Sequence, residues 1–165
     1  MSDKAVNLIV VAHPDDEVLA AGGTGAKLVA KGEIVQPVMV CGKVEARKQR
    51  PSDDSLLADI KEAMNILGFE APIFGNFPNI QLNTVPHLRL VQFIEEQITV
   101  FRPKRLFTHH PSDANDDHGQ VSRASMVAAR LSHRREDVFG VSSIHLMETP
   151  SATDWSYPGH SAPFA

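Results

Sequence analysis

From Leu8 to Ala12 the chain runs Leu-Ile-Val-Val-Ala without a polar residue. A strand that is apolar at consecutive rather than alternate positions has to be covered on both faces, which points to a buried parallel sheet. The segments that follow keep switching between strand and helix periods. Glu17 to Lys31 consists of good helix formers around Gly22, Gly23 and Gly25, with Gly32 as a stop. Its small residues predict a helix lying close against the sheet, where a Cβ would not fit. Ile34 to Val40 reads as a second strand, and Pro37 inside it predicts an edge or bulged position. Lys43 to Asp54 is charged and aperiodic, a surface loop. Ser52 caps a helix with Leu56, Leu57, Ile60, Met64 and Leu67 on one stripe, closed by Gly68. Ile73-Phe74 is a short third strand. Thr84 as N-cap and Pro86 in the first turn open a helix buried through Val91, Ile94, Ile98 and Phe101 and stopped by Pro103. Arg105 to Thr108 is a fourth strand. His118 to Leu131 is a helix buried through Val121, Ala124, Ala128 and Leu131, and Ser143 to Met147 is a fifth strand.

This alternation predicts an α/β fold, a Rossmann-like three-layer sandwich with a mostly parallel sheet and helices on both faces. The 165 residues suit one domain, 1–165, with an irregular Ser-, Pro- and Gly-rich tail over 149–165. A lone cysteine, Cys41, excludes an internal disulfide and fits a reducing cytosol. No apolar run approaches the roughly 20 residues of a membrane span. Met1 to Lys4 lead straight into the first strand without a hydrophobic leader, so a cytoplasmic location is expected. A net charge of −4 leaves no footprint for nucleic acid. Sheets of this kind often associate, so a homo-oligomer is open.

Ligands on such folds sit beyond the carboxyl ends of the strands, and two polar clusters fall there. The first is His13-Pro14-Asp15-Asp16-Glu17, directly after the first strand. The three adjacent carboxylates repel one another unless something compensates, and a divalent cation does so by pairing with carboxylates and with the neutral imidazole beside them. Pro14 fixes φ and forces a turn, so that His13 and a following aspartate face one locus. An acidic first turn complementing the helix dipole would account for Asp16 and Glu17, but not for the histidine and proline ahead of them. The second cluster, Thr108 to His118, contains His109, His110, His118, Asp113, Asp116 and Asp117. Alone, it reads more readily as a solvated loop with an N-cap; beside the first cluster at the same sheet edge, that becomes the weaker reading. Two histidines and a carboxylate with an open position form a catalytic metal set. These ligand types leave zinc and iron(II) both open, although an iron(II) oxygenase usually demands an all-β barrel.

Ala12 to Glu17 reads Ala-His-Pro-Asp-Asp-Glu, followed by Gly22-Gly23-Thr24; Asp116-Asp117-His118 closes the second loop; and Glu148 to Trp155 has the form Glu-x-x-Ser-x-Thr-x-Trp. On these motifs the chain closely resembles the LmbE-like (PIG-L) family of zinc-dependent N-acetylglucosaminyl deacetylases. The resemblance implies Zn2+ on His13, Asp16 and His118, with Fe2+ or another divalent ion as an alternative. It further implies Asp15 as general base and Asp117 as the residue that orients an imidazole; spacing alone does not choose Asp15 over Asp16. The implied reaction is hydrolysis of an N-acyl group, acetyl foremost, from an amino sugar or glycoconjugate, a small-molecule substrate.

Two departures from the family pattern stand out. Many members have a histidine three residues before the ligand histidine, where this chain has Asn115. Asparagine can donate a hydrogen bond but cannot carry a proton, so the acid duty passes to Asp15, His109 or His110. Relatives usually continue beyond the tryptophan segment, whereas this chain ends at Ala165, which predicts a C-terminally truncated domain. A catalytically impaired, metal-containing sugar-binding module is the alternative function. Arg47, with Lys43 nearby, is a candidate contact for a sugar or phosphate, set against an ordinary solvated loop. Cys41 is expected to be a small buried hydrophobe. His87, His133, His145 and His160 lack carboxylate company and are expected at the surface or in packing.

Overall fold

The computed structural model describes residues 4–42, 52–138, 140–150, 152, 154 and 155. Five strands and four helices follow in order: β1 (Val6–Val11), α1 (Asp16–Ala30), β2 (Ile34–Met39), α2 (Asp53–Leu67), β3 (Ile73–Phe74), α3 (His87–Phe101), β4 (Arg105–His109), α4 (Asp116–Ala128) and β5 (Ser143–Met147). The strands form one sheet in the order β3-β2-β1-β4-β5, and every strand pairing in it is parallel. The chain winds outward from β1 through β2 to β3, then returns to lay β4 on the other side of β1. The strand order therefore reverses between β1 and β4, and the crevice outside their carboxyl ends is where such a sheet binds ligands.

The two-sided burial expected of β1 is realised by alternation. Leu8, Val10 and Ala12 face α3 and α4 in a core with Val38, Leu106, Ile94, Ile98, Val121 and Ala124. Ile9 and Val11 face α1 and α2 in a second core with Val35, Met39, Ile60, Met64 and Phe107. Ser52 caps α2, its Oγ accepting the Ser55 amide at 3.2 Å, and Gly68 ends that helix at φ 71°.

Several local expectations are revised. β2 is internal, not an edge. Because the amides of Ile34 and Val40 point to β1, the even positions of β2 carry the hydrogen bonds on that side. Pro37 thus turns its nitrogen toward β3, which pairs only with Val38 and Met39, and its missing N–H breaks no ladder bond. Of the glycines in α1, only Gly25 is sterically required: a Cβ there would overlap the Phe69 ring, whereas Gly23 has nothing nearby. The neighbour is thus the aromatic ring after α2 rather than the sheet. Thr84 lies in a 3-10 turn, Leu82–Thr84, and Pro86 takes the N-cap position of α3. Leu57 is half exposed, and α4 starts at Asp116 and ends at Ala128, so Leu131 falls in a separate 3-10 turn. The loop positions Lys43 and Arg47, and His160 in the tail, lie outside the described residues. Among the described residues no helix is long and apolar enough to cross a membrane.

Candidate metal centre

The two polar clusters meet. Past the end of β1, the Ala12 amide donates to His109 Nε2 at the end of β4 over 2.9 Å, joining the strand ends. After Pro14 the chain turns back, and the His13 amide donates to Asp16 Oδ2 at 2.9 Å, which directs that carboxylate toward its own histidine. On the other side, Asp113 Oδ1 accepts the Asn115 amide (2.8 Å) and Asn115 Oδ1 accepts the Asp117 amide (3.0 Å). This Asx turn followed by an N-cap starts α4 so that Asp117 and His118 enter the crevice.

Three donor atoms converge there. His13 Nδ1 lies 3.4 Å from Asp16 Oδ2, His118 Nε2 lies 3.3 Å from the same oxygen, and the two nitrogens are 3.3 Å apart. For ligand bonds of about 2.0–2.1 Å, the edge of a tetrahedron is about 3.3–3.4 Å. The triangle therefore has the dimensions of one face of a tetrahedral site, and the donor set fits a divalent ion bound by His13, Asp16 and His118.

The remaining nitrogen of each imidazole is held by a carboxylate. His13 Nε2 pairs with Asp117 Oδ2 at 3.0 Å, and His118 Nδ1 pairs with Asp113 Oδ2 at 3.0 Å. With a proton held on each outer nitrogen by its carboxylate, the inner nitrogens would serve as lone-pair donors to a bound ion, the arrangement that orients metal-binding histidines. Asp117 is itself anchored, accepting the Ile80 amide on Oδ2 (2.7 Å) and the Leu82 amide on Oδ1 (3.0 Å).

The charges are strongly coupled. Burial works against an imidazolium at His13, but Asp117 and Asp16 push its pKa up to about 9. Burial likewise opposes His118, which Asp113 and Asp16 raise to about 9. Asp16 is held well below the usual carboxylate range despite its burial, by the imidazoles of His109, His118 and His13 around it. Burial raises the Asp15 carboxyl, helped by the neighbouring Asp16 charge. Burial also raises Glu17 to about 7.

Asp15 precedes α1 as an exposed residue, although the protein packed around its carboxyl still desolvates it in part. His109 stacks on His118, ring centroids 3.9 Å apart, and burial keeps its ring below the ordinary pKa. Its Nε2 lone pair is taken by the Ala12 amide, so it supports the triangle without offering that nitrogen to an ion. His110 turns toward Ser112, whose Oγ lies 2.7 Å from His110 Nδ1, and His110 joins none of the metal-sized clusters among the described residues. Cys41 is buried, with its thiol pushed up by burial and by the Asp117 charge, and it packs as a small hydrophobe. Thr149 Oγ1 lies 3.4 Å from His109 Nδ1, which places the start of the tail against the site. Sequence reasoning did not single out Asp113 as the partner of His118. Its only signal was the Asp-x-Asn pattern of an Asx turn ahead of a helix.

Residues 8–129 match the family described as GlcNAc-PI de-N-acetylase, PIG-L. The chain belongs to this family. It is 31% identical over 135 residues to the uncharacterized deacetylase YaiS of Escherichia coli (strain K12), covering 74% of this chain and 67% of that protein. It is 28% identical over 150 residues to the 1D-myo-inositol 2-acetamido-2-deoxy-alpha-D-glucopyranoside deacetylase of Mycobacterium sp. (strain KMS), covering 73% of this chain and 49% of that protein. Among solved structures, the conserved protein TT1542 of Thermus thermophilus superposes with a TM-score of 0.76 at 26% identity, covering 86% of this chain and 65% of the other. The PIG-L member thus spans about half to two thirds of the length of these relatives. Its PIG-L motifs are the residues that build the triangle.

Proposed function

We propose that this PIG-L domain is a zinc-dependent amide hydrolase that removes an N-acyl group, acetyl foremost, from an amino sugar or glycoconjugate. The observation that carries this reading is the triangle of His13 Nδ1, Asp16 Oδ2 and His118 Nε2, with edges of 3.3–3.4 Å. Two histidines and one carboxylate are a donor set that suits catalytic zinc, with iron(II) as the alternative ion. A zinc ion held there would supply Lewis acidity and an acidic water at neutral pH.

The chain's own groups do the rest. Asp117 and Asp113 fix the two imidazoles. Asp15 takes a proton from the attacking water on its carboxylate as the new C–O bond forms, then returns it to the amide nitrogen as the C–N bond breaks. Carboxylate and free amine are the products. Asp15 is favoured as the acid because it already holds the proton taken from the attacking water, whereas Asn115 cannot carry one. Similarity to the mycobacterial 2-acetamido-2-deoxy-glucopyranoside deacetylase supports an N-acetylated sugar as the substrate class. A cytoplasmic location fits the lone, buried Cys41.

The test is to incubate the zinc-loaded protein with a panel of N-acetylglucosamine conjugates and measure free amine. Release that exceeds the Asp15→Asn variant, and that is abolished by a chelator and restored by Zn2+, is the expected result. Release no greater than that of Asp15→Asn across the panel would overturn the enzymatic reading and leave a metal-containing binding module.

A further inference from the structure

The start of α1 differs from those of α2 and α4. Ser52 and Asn115 precede their helices and use their own side chains to accept a helix amide. Asp15 holds the same position before α1, yet its carboxylate makes no capping hydrogen bond. Its backbone sits at φ 149° and ψ −29°, a conformation that side-chain-bearing residues rarely adopt. Its amide donates to Glu17 Oε2 at 3.1 Å. Glu17 is 1% exposed, packed beside two further carboxylates at the same helix end. Acidic residues suit a helix start at the surface; burying one next to Asp15 and Asp16 costs desolvation and like-charge repulsion, so the dipole alone does not account for it.

The same device recurs across the crevice. Ile80 is at φ 58° and gives its amide to Asp117 Oδ2 at 2.7 Å. The other described non-glycine residue at positive φ, Arg102, lies at the carboxyl end of α3. Both strained residues beside the metal centre therefore hand their N–H to a buried carboxylate in the first turn of a helix, and strain of this kind persists only where the surroundings enforce it.

We infer that Glu17 is a positioning residue for Asp15: by accepting the Asp15 amide, its carboxylate holds that peptide in the strained conformation and frees the Asp15 carboxylate from capping α1, leaving it exposed at the edge of the cluster. The kinetic consequence rests on the hydrolase reading, while the geometric one does not. Without Glu17 the Asp15 side chain falls back onto the helix amides as an ordinary N-cap, and the base leaves its place.

Crystal structures and kinetics of Glu17→Ala and Glu17→Asp test this against wild type, with Glu17→Gln as the rescue. Aspartate is one methylene too short to reach the Asp15 amide, whereas glutamine keeps an acceptor oxygen at full length. Expected in Ala and Asp is an Asp15 φ moved to negative values with its carboxylate capping α1. Their zinc content and KM should be unchanged and kcat should fall about 100-fold, as a misplaced catalytic group commonly produces; Gln should restore most of the rate. Asp15 remaining at positive φ in Glu17→Asp, or kcat unchanged there, would overturn the inference. If wild type releases no amine but Asp15 relaxes in the variants, the hydrolase reading fails and the positioning device stands.

Discussion

Asp117→Ala is the most informative single substitution, because one carboxylate holds two structures at once. The group is 2% exposed and accepts from the Ile80 amide (2.7 Å), the Leu82 amide (3.0 Å) and His13 Nε2 (3.0 Å). Although burial disfavours its charge, the bonds from His13, Leu82 and Ile80 keep its carboxyl below the ordinary pKa, so it is ionised at neutral pH. Hydrogen bonds to a charged group contribute about 1.5–3 kcal/mol each. Ile80 is exposed enough for water to replace one partner, whereas Leu82 is wholly buried. The net cost is then about 3–5 kcal/mol, the range for breaking a buried charged pair. For a domain of this size that lowers Tm by about 10 °C. Calorimetry on the metal-free protein measures this arm. Chelator competition measures the other, where a freed His13 ring should weaken zinc binding about 10- to 100-fold. Asp117→Asn should fall between, since it keeps one acceptor oxygen but faces a remaining donor with an NH2 group. A Tm within about 2 °C of wild type would show that the two amides do not depend on Asp117. Unaltered zinc affinity would show that His13 is oriented by something else.

Three further outcomes follow from the same geometry. His13→Ala and His118→Ala should each abolish stoichiometric metal uptake, measured by elemental analysis after dialysis; retention of a full equivalent by either would end the claim of a shared ion. In the metal-free protein, His13 and His118 titrate near 9, against about 6.5 in an unfolded chain. Their raised pKa values stabilise the fold fully below about 6.5, and that contribution is lost as pH rises through 9. The urea midpoint should therefore fall across that window, and a flat or rising midpoint would refute the assignment. Gly25→Ala should destabilise by about 1–3 kcal/mol through overlap with the Phe69 ring. The penalty should vanish in a Phe69→Ala background, and a penalty that survives there would place the clash elsewhere.

Much of the architecture was legible because its causes are local. The run Leu8 to Ala12 announces burial on both faces, and the structure divides it between two cores. Ser52 and Gly68 mark the ends of α2 through backbone chemistry that needs no distant partner. Pro37 was legible only by half: proline reports a missing N–H, but which neighbour that N–H would have faced depends on where the strands lie. Gly25 likewise signalled close approach without naming Phe69.

The motif residues reveal the kinds of donor and the turns that carry them, since residue types and spacing are properties of the chain itself. Which atoms face one another is a property of the packed sheet. The strand order brings the end of β1 beside the end of β4, so that Ala12 reaches His109 across 97 positions and His13 meets His118 across 105. From that meeting come the pairing of Asp113 with His118, the pairing of Asp117 with His13, and the lone pair that His109 does not have to give. Donor direction and burial are set by neighbours remote in sequence, and only the packing of β1 against β4 supplies them.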